Sequence, residues 1–298
     1  MKKILLLAVS VCPLLVAAQE NNFLLYSFKG NVTVVENKSE SAAKVGRVMN
    51  SGAVLKVPAG GVATLICNEN AMFTVKKAGS FSMGQFGDSC KVKTGSVTSN
   101  YVKYVWNQMT KSSGSPGSNR KAFMNNVGAV TRSVNNIWID PRLDTVNYVS
   151  GDFPLSWKSY AEAENFEFFL FRSNDGSPAF FRTTLDKLKI PISKFAAQLK
   201  PGNTYYWTAA VKGEVNEEVK TLNYVTREQF NQLLRELRSS LGAFETEAEE
   251  AYRLAFLLED LHYLAQAYEY YSKASRLAPT NPLYRSTLMS FRKDYEIK

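Results

Sequence analysis

Residues that commonly perform catalysis or bind metals are few and scattered in this chain. His262 is the only histidine, so histidine-dependent catalytic triads and histidine-rich metal sites are nearly excluded. The sequence contains no glycine-rich phosphate loop ending in Gly-Lys-Ser/Thr and no Gly-x-Ser-x-Gly motif. We therefore expect no enzyme, no metal site and no cofactor.

Glycoside cleavage by a pair of carboxylates is a catalytic mechanism that the residue counts alone do not exclude. Glu162, Glu164 and Glu167 lie where a strand is expected to begin. The acidic residues at 245–250 fit the first turn of a helix, where negative charge suits the helix dipole. A solvated charged surface is the simpler interpretation of both groups, and no catalytic pair is nominated.

The three cysteines point to the cell compartment rather than to a reaction. Cys67 and Cys90 are the only two outside the N-terminal 18 residues. In an exported protein they are able to form a disulfide, and the alternative is two buried free thiols. Two cysteines alone cannot complete a structural zinc site.

The N-terminal 18 residues have the pattern of an export signal. Lys2 and Lys3 precede an apolar stretch at 4–11, and Val-Ala-Ala at 16–18 is a small-residue cleavage site before Gln19. The short lysine-rich signal resembles a bacterial one. Lipidation at Cys12 is a second possibility, although Val11 replaces the small residue that usually precedes such a cysteine. No other stretch reaches 18 consecutive apolar residues, so we expect no transmembrane helix in the mature chain.

The composition is that of a globular protein of two or three modest domains, with 45% hydrophobic and 12% aromatic residues. The formal net charge is +9, and the excess is concentrated between residues 91 and 139, which contain no acidic residue. The basic residues there are Lys91, Lys93, Lys103, Lys111, Arg120, Lys121 and Arg132. Such a stretch suits an acidic polymer, an anionic surface or a solvated linker, and export argues against nucleic acid.

The region from Phe23 to about residue 93 has the pattern of short strands separated by glycine turns. Four segments follow one another as Gly30-Asn-Val-Thr-Val, Gly52-Ala-Val-Leu, Val62-Ala-Thr-Leu and Gly79-Ser-Phe. This order resembles the FecR-type periplasmic β domain. The resemblance implies a small β barrel or sandwich, and we transfer only the fold, not the signalling role of that family.

A second β region follows a linker of serine, glycine and proline at 112–118. It contains Trp157, an aromatic strand at 166–172, and the sequence Leu199-Lys-Pro-Gly-Asn-Thr-Tyr205. Leu-x-Pro-Gly-x-x-Tyr resembles the tyrosine corner of fibronectin type III domains. The resemblance implies an immunoglobulin-like sandwich with Trp157 and Tyr205 in its core.

The C-terminal region is helical in pattern. Thr226 with Gln229 three residues later is a capping-box pattern, and Asn281-Pro282 is typical of a further helix start. Between them, residues 248–281 resemble one 34-residue tetratricopeptide (TPR) unit. Its framework positions are Leu254, Ala255, Ala267, Tyr271, Ala274 and Pro279.

One such unit is short of the roughly three that bury a continuous core. We therefore expect the helical bundle to bury its remaining apolar surface against the second β region, a second copy of the chain or another protein. Two interpretations of its aromatic side chains remain open. Tyr252, Phe256, Tyr263 and Tyr270 either line a groove for a partner or fill an intramolecular contact.

Taken together, the sequence predicts a multidomain, mainly β protein with an α-helical C-terminus. The predicted segments are a signal peptide at 1–18, a FecR-like domain at 19–100, a basic linker with a short helix at 101–148, a fibronectin-like sandwich at 149–226 and a TPR-like bundle at 227–298. The expected function is a non-catalytic scaffold of the bacterial envelope that binds envelope proteins through its helices. The location expected first is the periplasm, with the outer membrane or cell surface as alternatives. The competing function is binding of cell-wall or surface polysaccharide through the β domains, Trp106, Trp138 and the basic stretch.

Overall fold

The structure is a computed structural model that describes residues 21–91, 96–110, 120, 136–239, 245–279 and 281–297. The predicted signal peptide at 1–18, with Cys12, and the serine-glycine linker at 112–118 lie outside the described residues. So do Lys93, Lys111, Lys121 and Arg132 of the basic stretch.

The N-terminal unit consists of eight short strands in two antiparallel four-stranded sheets. The strands are β1 (Phe23–Lys29), β2 (Thr33–Glu36), β3 (Ser39–Ala42), β4 (Val48–Met49), β5 (Val54–Val57), β6 (Val62–Cys67), β7 (Ala71–Val75) and β8 (Gly79–Ser82). One sheet has the order β4-β1-β6-β7 and the other β3-β2-β5-β8.

Strand β1 is buried on both faces because successive side chains point to opposite sides of a sheet. Phe23 and Leu25 belong to the core of the N-terminal unit, together with Val34, Leu55 and other apolar residues. Leu24 and Tyr26 point the other way, into a second and larger core. The N-terminal unit therefore offers one sheet face to the rest of the protein.

A disulfide joins Cys67 at the end of β6 to Cys90, with 5.4 Å between their Cα atoms. Cys90 lies in a short 3-10 turn, Ser89–Lys91, that packs beside β7. The bond closes a loop of 23 residues that contains β7 and β8.

Reduction of this disulfide is expected to lower the free energy of unfolding by about 3 kcal/mol, the value for a closed loop of this length. Denaturant unfolding with and without a reducing agent measures the effect. A Cys67→Ala/Cys90→Ala variant serves as the control, since its stability should not respond to the reducing agent. An equal stability of the wild-type chain under both conditions would contradict the expectation.

The second β unit contains nine strands. They are β9 (Ile137–Trp138), β10 (Thr145–Tyr148), β11 (Pro154–Ser156), β12 (Lys158–Ser159), β13 (Phe166–Phe171), β14 (Phe181–Leu185), β15 (Lys189–Pro191), β16 (Thr204–Val211) and β17 (Lys220–Tyr224). A five-stranded sheet has the order β10-β17-β16-β13-β14, and the pairs β11-β15 and β12-β9 form two small sheets. The pair β10-β17 is parallel, and the other described pairs in this unit are antiparallel. Because β9 and β10 pair with β12 and β17, this unit begins before residue 149.

Aromatic side chains fill the space between these sheets. Phe168 lies at the centre, with ring centroids 6.4 Å from Trp157, 5.3 Å from Phe195 and 5.8 Å from Trp207. The hydroxyl of Tyr205 accepts a 2.8 Å hydrogen bond from the backbone N–H of Lys200, five residues earlier. This bond holds the turn at 200–203 against the strand that follows it.

Replacing Tyr205 with phenylalanine is expected to reduce the free energy of unfolding by about 1 kcal/mol, because it leaves the Lys200 N–H without its partner. Tyr206 provides a matched control, since it lies on the opposite face of β16. Tyr206→Phe should change stability by less than about 0.5 kcal/mol. Equal unfolding midpoints for Tyr205→Phe and the wild-type chain would contradict a role for the bond.

Five helices complete the described structure. They are α1 (Ser96–Thr110), α2 (Arg227–Ser239), α3 (Glu247–Asp260), α4 (Leu264–Leu277) and α5 (Pro282–Asp294). The predicted caps are confirmed: Thr226 and Gln229 bond reciprocally before α2, and Asn281 accepts the N–H of Leu283 at the start of α5. Thr246 and Glu249 form a further capping box at α3.

Helices α3 and α4 form an antiparallel hairpin with small residues at the contact. Leu254, Ala255, Ala267 and Ala274 are all completely buried. The coarse expectation of β modules followed by a helical C-terminus is therefore confirmed.

Candidate functional site

Two of the four aromatic residues predicted to line a partner groove are instead inside the protein. Phe256 is completely buried and Tyr252 is 1% exposed. The expectation of a groove lined by all four side chains is therefore wrong for these two. The physical reason is that α3 is apolar on most of its circumference and is covered on several sides by other helices.

Helix α1 covers Phe256. The Phe256 ring stacks on Tyr104 with centroids 4.6 Å apart and meets Tyr101 edge-on at 5.7 Å. The hydroxyl of Tyr101 in turn bonds that of Tyr26 on β1 at 2.6 Å. The segment predicted as a linker thus contributes a helix that packs between the N-terminal unit and α3.

Hydroxyl groups connect α1, α3 and α5 at the same junction. Tyr252 bonds Tyr104 at 2.9 Å and Thr287 at 3.0 Å. Burial raises the pKa of both tyrosines, so they are neutral and exchange ordinary hydrogen bonds. A partner is not needed to satisfy these polar groups.

The other two predicted groove residues, Tyr263 and Tyr270, are partly exposed. The Tyr263 ring packs against Phe230 of α2 at 5.4 Å. Tyr270 lies on α4, at the edge of the large core. The structure does not bring these two residues together with Tyr252 and Phe256 on one open surface.

The α3–α4 turn contacts the second β unit through its backbone. The Asn147 amide donates to the carbonyl of Leu261 at 2.8 Å, and the Asn147 N–H donates to the carbonyl of His262 at 2.9 Å. Further along α4, the Gln266 amide donates to the carbonyl of Ser150 at 2.8 Å. His262 therefore lies at an intramolecular contact, where it occupies the left-handed turn position with φ of 60°.

A buried ionic cluster lies deeper between the helices. The guanidinium of Arg120 pairs with Glu259 of α3 and Asp294 of α5. Tyr271 donates to Glu259 at 2.9 Å and Tyr295 donates to it at 3.3 Å. Burial alone would lower the pKa of Arg120. The facing carboxylate of Glu259 opposes this effect, the net pKa is above its ordinary value, and the guanidinium stays charged.

Burial raises the pKa of Glu259, and Arg120 and Tyr271 oppose that rise. Carboxyls with perturbed pKa values often mark active sites. Here the Glu259 side chain is only 1% exposed and has three donors around it, so no substrate reaches it. We interpret the cluster as a structural junction between helices.

The sequence alone gave no signal for this cluster. Arg120 lies in an asparagine-rich segment, and Glu259 and Asp294 resemble exposed charges near helix ends. Arg120 is separated from its two carboxylates by 139 and 174 residues. Assigning Glu259 to an inward-facing position would have required knowing which faces of the helices are buried.

Two of the carboxylates considered for catalysis, Glu167 and Glu245, are held in structural bonds, whereas Glu162 and Glu164 are exposed. Glu167 accepts from Arg182 at 2.6 Å, and this bond lowers its pKa. Glu245 is paired with Arg253 at 2.9 Å. Within the described residues, no group of three or more His, Cys, Asp or Glu side chains is placed to hold a metal ion.

The two tryptophans considered for glycan binding differ in access. Trp106 is 8% exposed and belongs to the large core. Trp138 is partly exposed, and the ammonium of Lys158 lies 5.1 Å from the centroid of its ring. Trp138 and Lys158 line a small cavity of about 190 Å³ together with Asp140, Arg142 and Lys293, and Trp106 does not line it.

No protein-family model matches the chain, and no curated protein is significantly similar to it. None of the helices in the described part of the chain is both long and apolar enough to cross a membrane.

Proposed function

We propose that this chain is a non-catalytic protein-binding scaffold of a bacterial cell envelope. In this proposal a TPR-like helical unit holds two β modules together and a protein partner binds the assembled modules. The observation that carries the proposal is the large core, which runs from Tyr26 on β1 through α1 and α3 to Tyr295 beyond α5. A chain that buries its helices against its own β modules is suited to presenting surfaces in a fixed arrangement.

Several contacts support the family resemblances on which the proposal draws. The bond from the Lys200 N–H to the Tyr205 hydroxyl suits a fibronectin-like tyrosine corner. The close α3–α4 hairpin with buried Ala255, Ala267 and Ala274 suits a TPR-like unit. The short antiparallel strands β1 to β8 suit a FecR-like domain.

An envelope location is supported by the N-terminal signal pattern and by the disulfide between Cys67 and Cys90. Disulfides persist in oxidising compartments such as the bacterial periplasm. The periplasm is therefore the proposed location, with the outer membrane and cell surface as alternatives.

Crosslinking of whole cells, purification of this protein and mass spectrometry test the scaffold role. The proposal predicts a reproducible envelope protein joined to described surface residues. Crosslinks confined to the chain itself, together with a monomeric purified protein, would overturn it.

Polysaccharide binding is the second candidate, and the partly exposed Trp138 favours it. An aromatic ring beside cationic and hydrogen-bonding side chains suits a sugar carrying acidic groups. Pull-down on purified envelope glycan distinguishes the two functions. Binding that is lost in Trp138→Ala but kept in Trp106→Phe would support the glycan function.

A further inference from the structure

A cavity opens at one end of the five-stranded sheet, where β13 ends and β16 begins. The register pairs Phe171 with Tyr206, so Arg172, which follows β13, continues that register next to Tyr205. The cavity has a volume of about 440 Å³, within the range of about 300–1,000 Å³ that is typical of small-molecule sites. Its lining residues are Arg172, Gln198, Lys200, Asn203, Thr204 and Tyr205.

The lining of this cavity is positively charged. Two of its six residues are cations, and none is acidic. Within the described residues, no ion pair joins Arg172 or Lys200 to a carboxylate. The acidic residue nearest to either cation along the chain is Asp175, which accepts hydrogen bonds from Ser173 and Ser177 in its own turn. An anion in the cavity would therefore meet two positive charges and no repelling carboxylate in the lining.

The two cations are positioned by the same aromatic rings. The Arg172 guanidinium lies 4.7 Å from the centroid of the Phe180 ring, and that ring packs on Tyr205 with centroids 5.8 Å apart. The Tyr205 hydroxyl accepts the backbone N–H of Lys200 at 2.8 Å. The arginine head group and the lysine backbone are thus connected to one buried tyrosine, which is 4% exposed. Groups that are already held in place lose less conformational entropy when they bind a ligand.

Hydrogen-bonding groups complete the lining. In its described bond the Tyr205 hydroxyl is the acceptor, so it keeps its own hydrogen to donate. Gln198 and Asn203 contribute side-chain amides, which both donate and accept. A guanidinium and an ammonium suit the oxygens of a carboxylate or phosphate, and the amides suit hydroxyl groups. A sugar that carries an anionic group has both kinds of partner.

We propose that this cavity binds an anionic sugar, with Arg172 and Lys200 on its carboxylate or phosphate group and the amides on its hydroxyl groups. Charge complementarity selects the anionic group, and the size of the cavity suits a small molecule. The inference goes beyond the scaffold function and does not depend on it. It shares its ligand class with the second candidate function but places the ligand at a different site, because neither cation lines the Trp138 cavity.

Calorimetric titration of the purified full-length protein tests the proposal. The probes are glucuronate, phosphorylated glucose, neutral glucose and inorganic phosphate. We expect at least one of the two anionic sugars to bind with a Kd at least about tenfold lower than that of glucose or of inorganic phosphate. This binding should weaken at high salt, since the cations are exposed to solvent. The anionic sugar that binds more tightly identifies the preferred group as a carboxylate or a phosphate.

Single substitutions locate the binding site. Arg172→Gln and Lys200→Gln each remove one charge and keep the backbone bond from Lys200 to Tyr205, and each should weaken binding by about tenfold. The matched control is Lys187→Gln/Lys194→Gln, which removes two exposed cations that line another cavity of the same β unit. This control and Trp138→Ala should both keep the wild-type affinity. Thermal unfolding establishes that each variant is folded.

Three results would overturn the inference. Binding that is lost in Trp138→Ala but kept in Arg172→Gln and Lys200→Gln would move the sugar to Trp138 and support the second candidate function. Equal affinities for the anionic sugars, glucose and inorganic phosphate would remove the assigned ligand class. Absence of binding by both anionic sugars would leave the cavity without this ligand, and the scaffold function, which whole-cell crosslinking tests separately, would be unaffected.

Discussion

Replacing Phe256 with alanine is expected to lower the free energy of unfolding by about 3–5 kcal/mol, the usual cost of deleting a fully buried phenylalanine side chain. Phe256 is completely buried between Tyr101 and Tyr104 of α1. Its removal leaves a cavity where α1, the N-terminal unit and α3 meet. Denaturant unfolding of the full-length chain, followed by circular dichroism, measures the loss.

Tyr270→Ala is the matched control for this prediction, since Tyr270 lies on the neighbouring helix and is partly exposed. We expect a smaller loss of about 1 kcal/mol, because much of this side chain already contacts solvent. If Phe256 instead lined a partner-binding groove, its replacement by alanine would reduce partner binding and change the free energy of unfolding little. Near wild-type stability of Phe256→Ala, with loss of a captured protein, would contradict the intramolecular assignment.

The second large effect is expected at the buried ionic cluster. Arg120→Met removes the guanidinium that faces both Glu259 and Asp294. Asp294 keeps Arg142 at 3.4 Å, so Glu259 is the carboxylate that loses its described ion-pair partner. Removing one partner of a buried ion pair typically costs about 3–5 kcal/mol, because the remaining charge is still buried. The expected result is a correspondingly lower free energy of unfolding at pH 7.

The loss in Arg120→Met should depend on pH in a defined direction. Burial raises the pKa of Glu259, and without Arg120 that pKa rises further. An acid with a raised pKa in the folded state binds its proton there more readily than in the unfolded chain. The destabilisation should therefore be smallest below the unfolded pKa of Glu259, should grow as the pH rises from that value to the higher folded pKa, and should level off above it.

Arg238→Met is the control for Arg120→Met. Arg238 forms an ion pair with Glu250 at 2.8 Å, but the two side chains are 51% and 38% exposed. Such a pair contributes at most about 1 kcal/mol. If the two arginine variants lost equal stability, or if Arg120→Met lost the same amount at every pH, the buried cluster would not have the assigned role.

Local structure was predictable from the sequence where a short-range rule decides it. Capping side chains at Thr226 and Asn281 located the starts of α2 and α5, because caps act within three residues. The aromatic strand at 166–172 was also predictable, since burial follows the period of the element. The same holds for the short helix expected near residue 101, because Val102, Val105 and Trp106 recur at helical spacing and form one apolar stripe on α1.

Long-range partners were not predictable in the same way. The α1 stripe predicts an apolar contact but does not say that α3 and β1 provide it. Likewise, the aromatic composition of β13 does not distinguish Phe168, which is buried, from Phe169, which faces outward. The four tyrosine and phenylalanine positions of the expected groove suited both a partner and a core. The positions of α1 and α5 separate Tyr252 and Phe256 from the other two, because α1 covers Phe256 and both helices contact Tyr252.

Site-specific photo-crosslinking in living cells tests the central claim most directly. A photoreactive phenylalanine analogue placed at position 171 reports on the partly exposed end of β13, and the same analogue at position 270 reports on the helices. The scaffold account predicts one discrete envelope protein crosslinked from at least one of the two positions. The absence of an adduct from both positions, with only crosslinks inside the chain, would contradict it.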